Sequence, residues 1–432
     1  MVSDPLVAYL FTFLLFALAC FRPQWAVLAC IAILPSYLLK LQMFGIPTTV
    51  LELSIWATFV GAFLSNFFSP MSSRLSFGVR EISSSKFFWP ILTFAAVSFI
   101  SAIAALHQQT ALGGWKAWVF DPILFALLLI QLFSVKDLWK IAASLGVSST
   151  VLSAYGIYEY VILSGQLGDG RLDSIFDPAN YHALFVGPII VLLVGFLASP
   201  QTPRIWKICF SIASAVNIFA LIFTFSYGGF LATLGGVVLF GFLALNPVWR
   251  KRIFWGSVTL FFSFVLLLSP TKKFQDLFEF QNRSSSHARV EIWKTSALIT
   301  KEHPMLGVGL NDFEYHYRQT IPRVAFPPLE WLVAQPHNLY FALLTQIGVL
   351  GLLAFAWIIV RFFQLIRITC HEQRAVSYAL LAAMTTTLLH GFVDTPYFKN
   401  DLAVLFWVVI AMGIILFTAL RARGGLEKES KI

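Results

Sequence analysis

Charge is what this chain has least of. Asp, Glu, Lys and Arg supply 12% of its 432 residues, about half the share found in an ordinary soluble domain. Hydrophobic residues supply 58%, and the mean hydropathy is +0.78. So few charges cannot coat a water-facing globule, which excludes a soluble fold. Cysteine is also scarce. Of the four, Cys20, Cys30 and Cys209 lie in apolar runs and Cys370 follows a basic stretch, with no C-x-x-C pair. That distribution argues against a disulfide scaffold or a thiolate metal site and fits packing residues. Ionisable groups inside the apolar runs are sparse too: Glu52, Asp121 and Glu159 near run ends, with His390 and Asp394 at the end of the twelfth run. An ion-coupled transporter needs such groups at the bilayer midplane, where each costs about 2.5–3.5 kcal/mol to insert. Their scarcity counts against transport, as does the lack of paired broken helices.

What is present is a succession of apolar runs: 6–21, 24–39, 50–68, 87–106, 118–133, 141–163, 181–199, 208–225, 230–245, 253–269, 339–360, 375–391 and 402–420. A span needs about 20 residues and tolerates slightly fewer, so the pattern predicts an all-α integral membrane protein, a polytopic bundle of about 12–13 transmembrane helices. The first two runs are short and separated only by Phe21-Arg22-Pro23, which leaves open whether both cross. The N-terminus lacks the basic segment of a signal peptide and runs directly into a second apolar stretch, so it reads as membrane helix. The formal charge of +9 sits mostly in short loops that alternate along the chain: Arg74, Arg80 and Lys86; Lys136 and Lys140; Arg204 and Lys207; Arg250, Lys251 and Arg252; Arg361, Arg367 and Arg374; Arg421 and Arg423. That is the positive-inside pattern. It predicts that these loops are cytoplasmic, and it offers no reason to expect a nucleic-acid partner.

One interval breaks the apolar pattern. Residues 270–336 are polar, aromatic and proline-containing, and the charge alternation places them on the outer face. The chain therefore divides into N-terminal membrane helices (1–269), a large extracytoplasmic loop (270–336), and C-terminal membrane helices with a short cytoplasmic tail (337–432). Within the loop, Ser284-Ser285-Ser286 offers N-cap groups for a helix over about 287–302 with an apolar stripe of Val290, Trp293, Ala297 and Leu298. His303-Pro304 ends it, Gly307-Val308-Gly309 makes a turn, and a second amphipathic piece follows over 311–320.

Three groups predicted on the outer side could serve one reaction. Arg289 could offer bidentate donors to a phosphate. His337, at the start of the eleventh run, would place an imidazole at the membrane surface, suited to proton transfer near neutral pH. Arg171 lies in another outer loop. Each also has a plainer explanation: an interfacial Arg commonly pairs with lipid phosphate or with a carboxylate such as Glu291 or Asp173, and an interfacial His commonly bonds a helix end. Gly307-Val308-Gly309 lacks the strand and the Lys of a phosphate loop.

The run His303-Pro304-Met305-Leu306-Gly307-Val308-Gly309-Leu310-Asn311-Asp312-Phe313, followed by Pro336-His337-Asn338-Leu339-Tyr340 and by Gln346-Ile347-Gly348-Val349-Leu350-Gly351-Leu352, resembles the shared core of the O-antigen ligase and polymerase family. Arg289-Val290-Glu291-Ile292-Trp293 is similar to that family's Arg-x-x-x-Trp segment, and Gly170-Arg171 through Asp177-Pro178-Ala179-Asn180 to its outer-loop signature. The resemblance covers roughly the C-terminal 60% of the chain, an estimate that follows from where these motifs fall. It implies transfer of a glycan from an undecaprenyl-diphosphate carrier to an acceptor hydroxyl, such as that of a lipopolysaccharide core, outside the bacterial cytoplasmic membrane. It also implies catalytic roles for His337 and Arg289 and substrate contacts from Arg171, Asn338 and Tyr227. Membrane lipids are the surroundings, and no cofactor or metal is expected. Repeat-unit polymerases and protein O-oligosaccharyltransferases share the pattern and differ in acceptor; a non-catalytic membrane protein or a transporter of lipid-linked sugar is the reading from another class. One departure stands out: where the family commonly has Ser-Arg-Gly, this chain has Ser226-Tyr227-Gly228-Gly229, so a functional cation is missing unless Arg171 supplies it.

Overall fold

The computed structural model describes residues 5–43, 46–67, 79–162, 170–176, 178–269 and 285–422. Arg74, Asp177, Ser284 and Arg423, as well as the opening 270–283 of the polar interval, lie outside the described residues.

Helices dominate. In chain order they are α1 (Pro5–Phe21), α2 (Pro23–Ala32), α3 (Val50–Phe67), α4 (Val79–Ser84), α5 (Phe88–Ala104), α6 (Gln108–Trp115), α7 (Asp121–Leu132), α8 (Leu138–Ile162), α9 (Asn180–Leu197), α10 (Arg204–Phe223), α11 (Tyr227–Ala244) and α12 (Pro247–Leu268), then α13 (Ser285–Glu302), α14 (Phe313–Thr320), α15 (Leu339–Thr369), α16 (Arg374–His390) and α17 (Asn400–Ala422). The described part of every predicted apolar run lies mainly in helix. By length and composition, seven helical segments among the described residues can cross a membrane, and four more are apolar but shorter. The second run is the least regular. Pro23 restarts the chain as a ten-residue helix, a 3-10 turn follows over Leu34–Leu38, and a hairpin of β1 (Lys40–Met43) and β2 (Ile46–Thr49) leads into α3. Alone, α2 is about 15 Å long, half a hydrocarbon core.

The loops sort to two ends, as the alternation of charge requires. At one end Arg361 donates to the Ser85 carbonyl (3.2 Å), Arg374 to the Leu243 carbonyl (2.9 Å), and Gln201 to Gln373 (3.0 Å). At the other, residues 170–176, 224–229, 285–338 and 391–399 meet one another. The apolar core between the ends is built mainly from α7, α9, α15, α16 and α17, whose inner faces are almost wholly buried.

Residues 285–338 fold as a cap with its own small core of Ile292, Ile299, Val308, Phe313, Tyr317, Ile321 and Val333. Its two predicted helices are α13 and α14. The buried face of α13 differs from the expected stripe: Ala288, Ile292, Thr295, Ser296 and Ile299 are buried, while Ala297 is exposed. Small residues let the helix approach closely, and the Thr295 and Ser296 hydroxyls satisfy themselves on the Glu291 and Ile292 carbonyls (2.8 Å each), so hydroxyl residues occupy positions where a hydropathy pattern looks for aliphatics.

The cap is latched to the bundle at a break in α15. Gly348 adopts φ 69°, ψ −172° within that helix, which frees carbonyls one turn earlier. Val308 and Gly309 donate to the Thr345 and Gln346 carbonyls (2.8 and 3.0 Å), and Val349 returns a bond to the Pro304 carbonyl (2.9 Å). Ser101 donates to the carbonyls of both Leu306 and Gln346. Val308 and Gly309 of the turn thus spend their N–H groups on the bundle, as a structural latch would, while Gly307 N bonds the His303 carbonyl within the cap (3.1 Å). A methyl at position 348 would run into the Met305 carbonyl. Gly348→Ala is therefore expected to cost at least 1–3 kcal/mol, roughly the strain of a forbidden backbone region, read as a lower unfolding temperature of the purified protein; unchanged thermal stability would show that the latch contributes nothing.

Candidate functional site

His337 sits where the cap returns to the bundle. Its backbone is left-handed, φ 49°, a conformation that side chains other than glycine adopt seldom and that His and Asn tolerate better than most. The neighbours fix this geometry. Trp293 of α13 donates its indole N–H to the Pro336 carbonyl (3.1 Å) and stacks on Phe341. Asn338 caps α15, accepting from Tyr340 N (2.9 Å) and Phe341 N (3.0 Å) and donating to the Phe392 carbonyl (2.8 Å). Leu339 N bonds the Gly391 carbonyl (2.7 Å). Asn338, expected to touch substrate, is thus placed as the clamp that orients the residue before it.

The partner of His337 is Asp394, on the link between α16 and α17. The imidazole Nδ1 lies 3.3 Å from Asp394 Oδ1, with 27% of the His337 side chain exposed and 4% of Asp394. Asp394 also accepts from Thr395 N (2.9 Å) and from Asn180 Nδ2 (3.1 Å). Asn180 in turn accepts from Arg171 (2.6 Å), whose Nε donates to the Thr224 carbonyl (2.7 Å). A continuous chain, Arg171–Asn180–Asp394–His337, therefore ties four segments together and leaves the imidazole Nε2 as the nitrogen that can face a substrate. Burial alone would lower the His337 pKa, but the hydrogen bond and charge of Asp394 outweigh it and hold the imidazole above its ordinary value. Burial pushes the Asp394 carboxyl upward, and the hydrogen bond and charge of His337, with His390 and Arg289 nearby, bring it well below the usual carboxylate range. The pair is a base stiffened by a buried anion.

Arg289 is on α13, within electrostatic reach of His337, His390 and Asp394. It is half-buried and makes no ion pair among the described residues. Glu291, the carboxylate that could have neutralised it, instead accepts from Leu329 N (3.0 Å) and faces His287 (3.8 Å). Tyr227 opens α11 behind the Ser226 N-cap, three residues after the carbonyl that Arg171 holds. The two glycines after it allow close contact: a methyl on Gly229 would lie 3.0 Å from the His390 ring, and one on Gly228 would overlap Val393. The turn that carries Tyr227 is therefore packed against the segment that carries Asp394. Beside it, Lys399 is buried against the rings of Tyr181 (3.9 Å) and Phe176 (4.2 Å), and burial, opposed by Asp401 and Asp394, lowers its pKa to about 8.

All five residues predicted for the site fall at this end of the bundle. Asp394 and Asn180 were missing as partners of the imidazole and the guanidinium. Asp394 was visible in the sequence as an isolated charge and Asn180 as the last residue of a motif, but nothing local links either to position 337. Among the described residues no group of His, Cys, Asp and Glu is arranged to hold a metal ion.

An Asp carboxylate behind a histidine, beside an arginine that has no ion pair among the described residues, at the junction of a folded cap and an apolar helical bundle defines a polytopic membrane protein with an ionic site at its surface. Residues 209–356 match the sequence model of the family described as O-antigen ligase, a stretch that contains Tyr227, Arg289, His337 and Asn338, while Arg171, Asn180 and Asp394 lie outside it. A protein of Rickettsia bellii (strain RML369-C) named "Putative polysaccharide ligase" is 27% identical over 159 residues, which is 36% of this chain and 38% of that one. The match thus spans well under half of the relative's length. A chain from a solved structure titled "Structural coordination of polymerization and crosslinking by a peptidoglycan synthase complex" is similar at 13% identity and a TM-score of 0.44, covering 78% of this chain and 97% of that one, a likeness too slight to argue from.

The pH dependence of the site follows from the His–Asp pair. If neutral imidazole is the working form, activity rises as pH passes upward through a pKa held above the ordinary 6.5. Asp394→Asn removes the influences that raise it, so the acid limb of the pH–rate profile should move to lower pH while the maximum rate falls. An unmoved limb would separate Asp394 from the titrating group.

Proposed function

We propose that this chain is a membrane glycan transferase of the ligase type, moving a glycan from an undecaprenyl-diphosphate carrier to an acceptor hydroxyl at the outer face of the bacterial cytoplasmic membrane. The observation that carries the reading is the His337–Asp394 pair at the junction of the folded cap and the apolar bundle, a position that a lipid-linked donor would reach from the bilayer and a hydroxyl acceptor from the water side. In the reaction, His337 Nε2 takes the proton of the acceptor hydroxyl as its oxygen bonds to the anomeric carbon. The bond from that carbon to the diphosphate oxygen breaks, and the diphosphate leaves with the electron pair. Asp394 stabilises the imidazolium that forms. Arg289 holds the departing diphosphate, a charge that develops in the transition state and is best met by a preorganised cation. Lipid diphosphate is already a good leaving group, so positioning and charge are most of what the protein must provide.

Tyr227 replaces the cation that the family pattern puts at the turn, and the non-catalytic reading rests on that residue. Against it, Arg171 reaches the same turn through Thr224 and can supply the charge. Loss of the gene, followed by analysis of the surface glycan, tests the reading and its nearest relative: a missing ligase leaves finished polymer on the carrier, a missing polymerase leaves single repeats, and an unchanged envelope argues against both.

Sidedness is tested separately. In a variant without native cysteines, a cysteine at the exposed Gln319 should react with a membrane-impermeant thiol reagent in cells stripped of any outer membrane, and one at Gln201 should not. Labelling of position 201 alone would put the site in the cytoplasm, where the exported donor is absent.

A further inference from the structure

A cavity of about 580 Å³ lies on the flank of the bundle, away from His337. Its walls are the 3-10 turn after α2, the outer half of α8, and Ile175. Val151, Tyr155 and Ile175 are 63%, 43% and 42% exposed, so the cavity reaches the surface that faces lipid. The walls are apolar along most of their length, and the polar groups fall at two depths. Glu159, with Tyr155 one turn before it on the same cavity wall, stands in the last turn of α8 at the loop end. Ser148 is eleven residues earlier on the same helix, about 16 Å deeper. Its hydroxyl and that of Ser36 line the cavity, buried and without a hydrogen-bond partner.

An apolar slot of that depth, polar at its outer mouth and open to the bilayer, has the form of a lipid-chain site. The charge at the mouth decides which lipid. Glu159 would repel a diphosphate and would accept hydrogen bonds from hydroxyls, which disfavours the donor and favours a sugar head group. The loop 170–176 separates the two. Its outer-flank side closes the slot, with Ser174 donating to the Leu152 carbonyl (2.8 Å) and Leu172 packed over Gly156, while its inner side carries Arg171 towards Asn180 and Asp394.

We propose that this slot holds a hydrocarbon chain of the acceptor, a glycolipid whose head-group hydroxyls meet Glu159 and Tyr155, with the loop 170–176 standing between it and the donor diphosphate. The identification of the occupant as acceptor rests on the transferase reading; the slot as a lipid site does not.

The test uses the full chain in phospholipid nanodiscs with two photoreactive probes, an alkyl glycoside carrying a diazirine in its chain and a diazirine-bearing polyprenyl diphosphate. The glycoside should label residues 33–39 and 148–159. Val151→Trp, made at an exposed position of the wall so that the fold is preserved, should fill the deeper part of the slot and lower that labelling about tenfold, the effect of roughly 1.4 kcal/mol, with labelling by the polyprenyl diphosphate unchanged. Glu159→Lys should lower glycoside labelling as well. No glycoside labelling in these segments, no effect of Val151→Trp, or displacement of the polyprenyl probe instead would each overturn the proposal. If labelling follows expectation in a protein that transfers glycan to no acceptor, the transferase reading falls, and the acceptor assignment with it, while the lipid site stands.

Discussion

His337→Asn is expected to slow glycan transfer by about 10²–10⁴-fold, the usual contribution of a positioned acid or base, with little change in binding of the lipid-linked donor. Asn is the informative replacement because it accepts the left-handed backbone at this position and its amide can still bond Asp394. An amide cannot take up a proton near neutral pH. The fold and the cap should therefore survive while the chemistry is lost, and initial rates on the purified protein would measure the difference. If His337 served only as a helix-end hydrogen bonder, the same variant, and His337→Gln beside it, would keep most of the wild-type rate.

The second large effect is expected at Arg289. Removing a cation that meets developing charge costs on the order of 10²–10³ in rate when the donor is preorganised, so Arg289→Ala should fall into that range. Arg289→Lys keeps the charge but loses the planar fork that bonds two phosphate oxygens at once, and should recover only part of the activity. Because Glu291 is occupied by Leu329 N and His287, neither variant releases a buried carboxylate, and insertion into the membrane should be normal. Full activity of Arg289→Ala would remove the residue from the mechanism.

The fold was legible because a membrane span announces itself locally: the thirteen apolar runs needed no knowledge of their neighbours to be placed in helices. The break at Gly348 was not legible, since an unbroken apolar run conceals a single residue of unusual backbone; its cause is the cap, whose residues 304–309 pair with the exposed carbonyls from a distant part of the sequence. The short second run shows the same limit, because the hairpin after it follows from the packing of α1 against α3 rather than from hydropathy. At the site, His337, Arg289 and Arg171 are proposed from their place in an ordered set of motifs. Asp394 was passed over as the partner of His337 because the two are 57 residues apart, and the pairing depends on how the link after α16 folds against the start of α15. Asn338 was assigned to substrate for its position beside His337, whereas both ends of its amide are engaged in capping and clamping the backbone.

If the imidazole held by Asp394 drives transfer from a lipid-diphosphate carrier to a hydroxyl, the two products must form together and depend on His337. The direct measurement is made on the purified chain in lipid, given an undecaprenyl-diphosphate-linked glycan and a glycolipid acceptor, with both products followed together. Glycosylated acceptor and free undecaprenyl diphosphate are expected in equal amounts with the wild-type protein, and both should nearly vanish with His337→Asn. Near-normal release of both products by His337→Asn, or release of undecaprenyl diphosphate without glycosylated acceptor in the wild type, would contradict that mechanism.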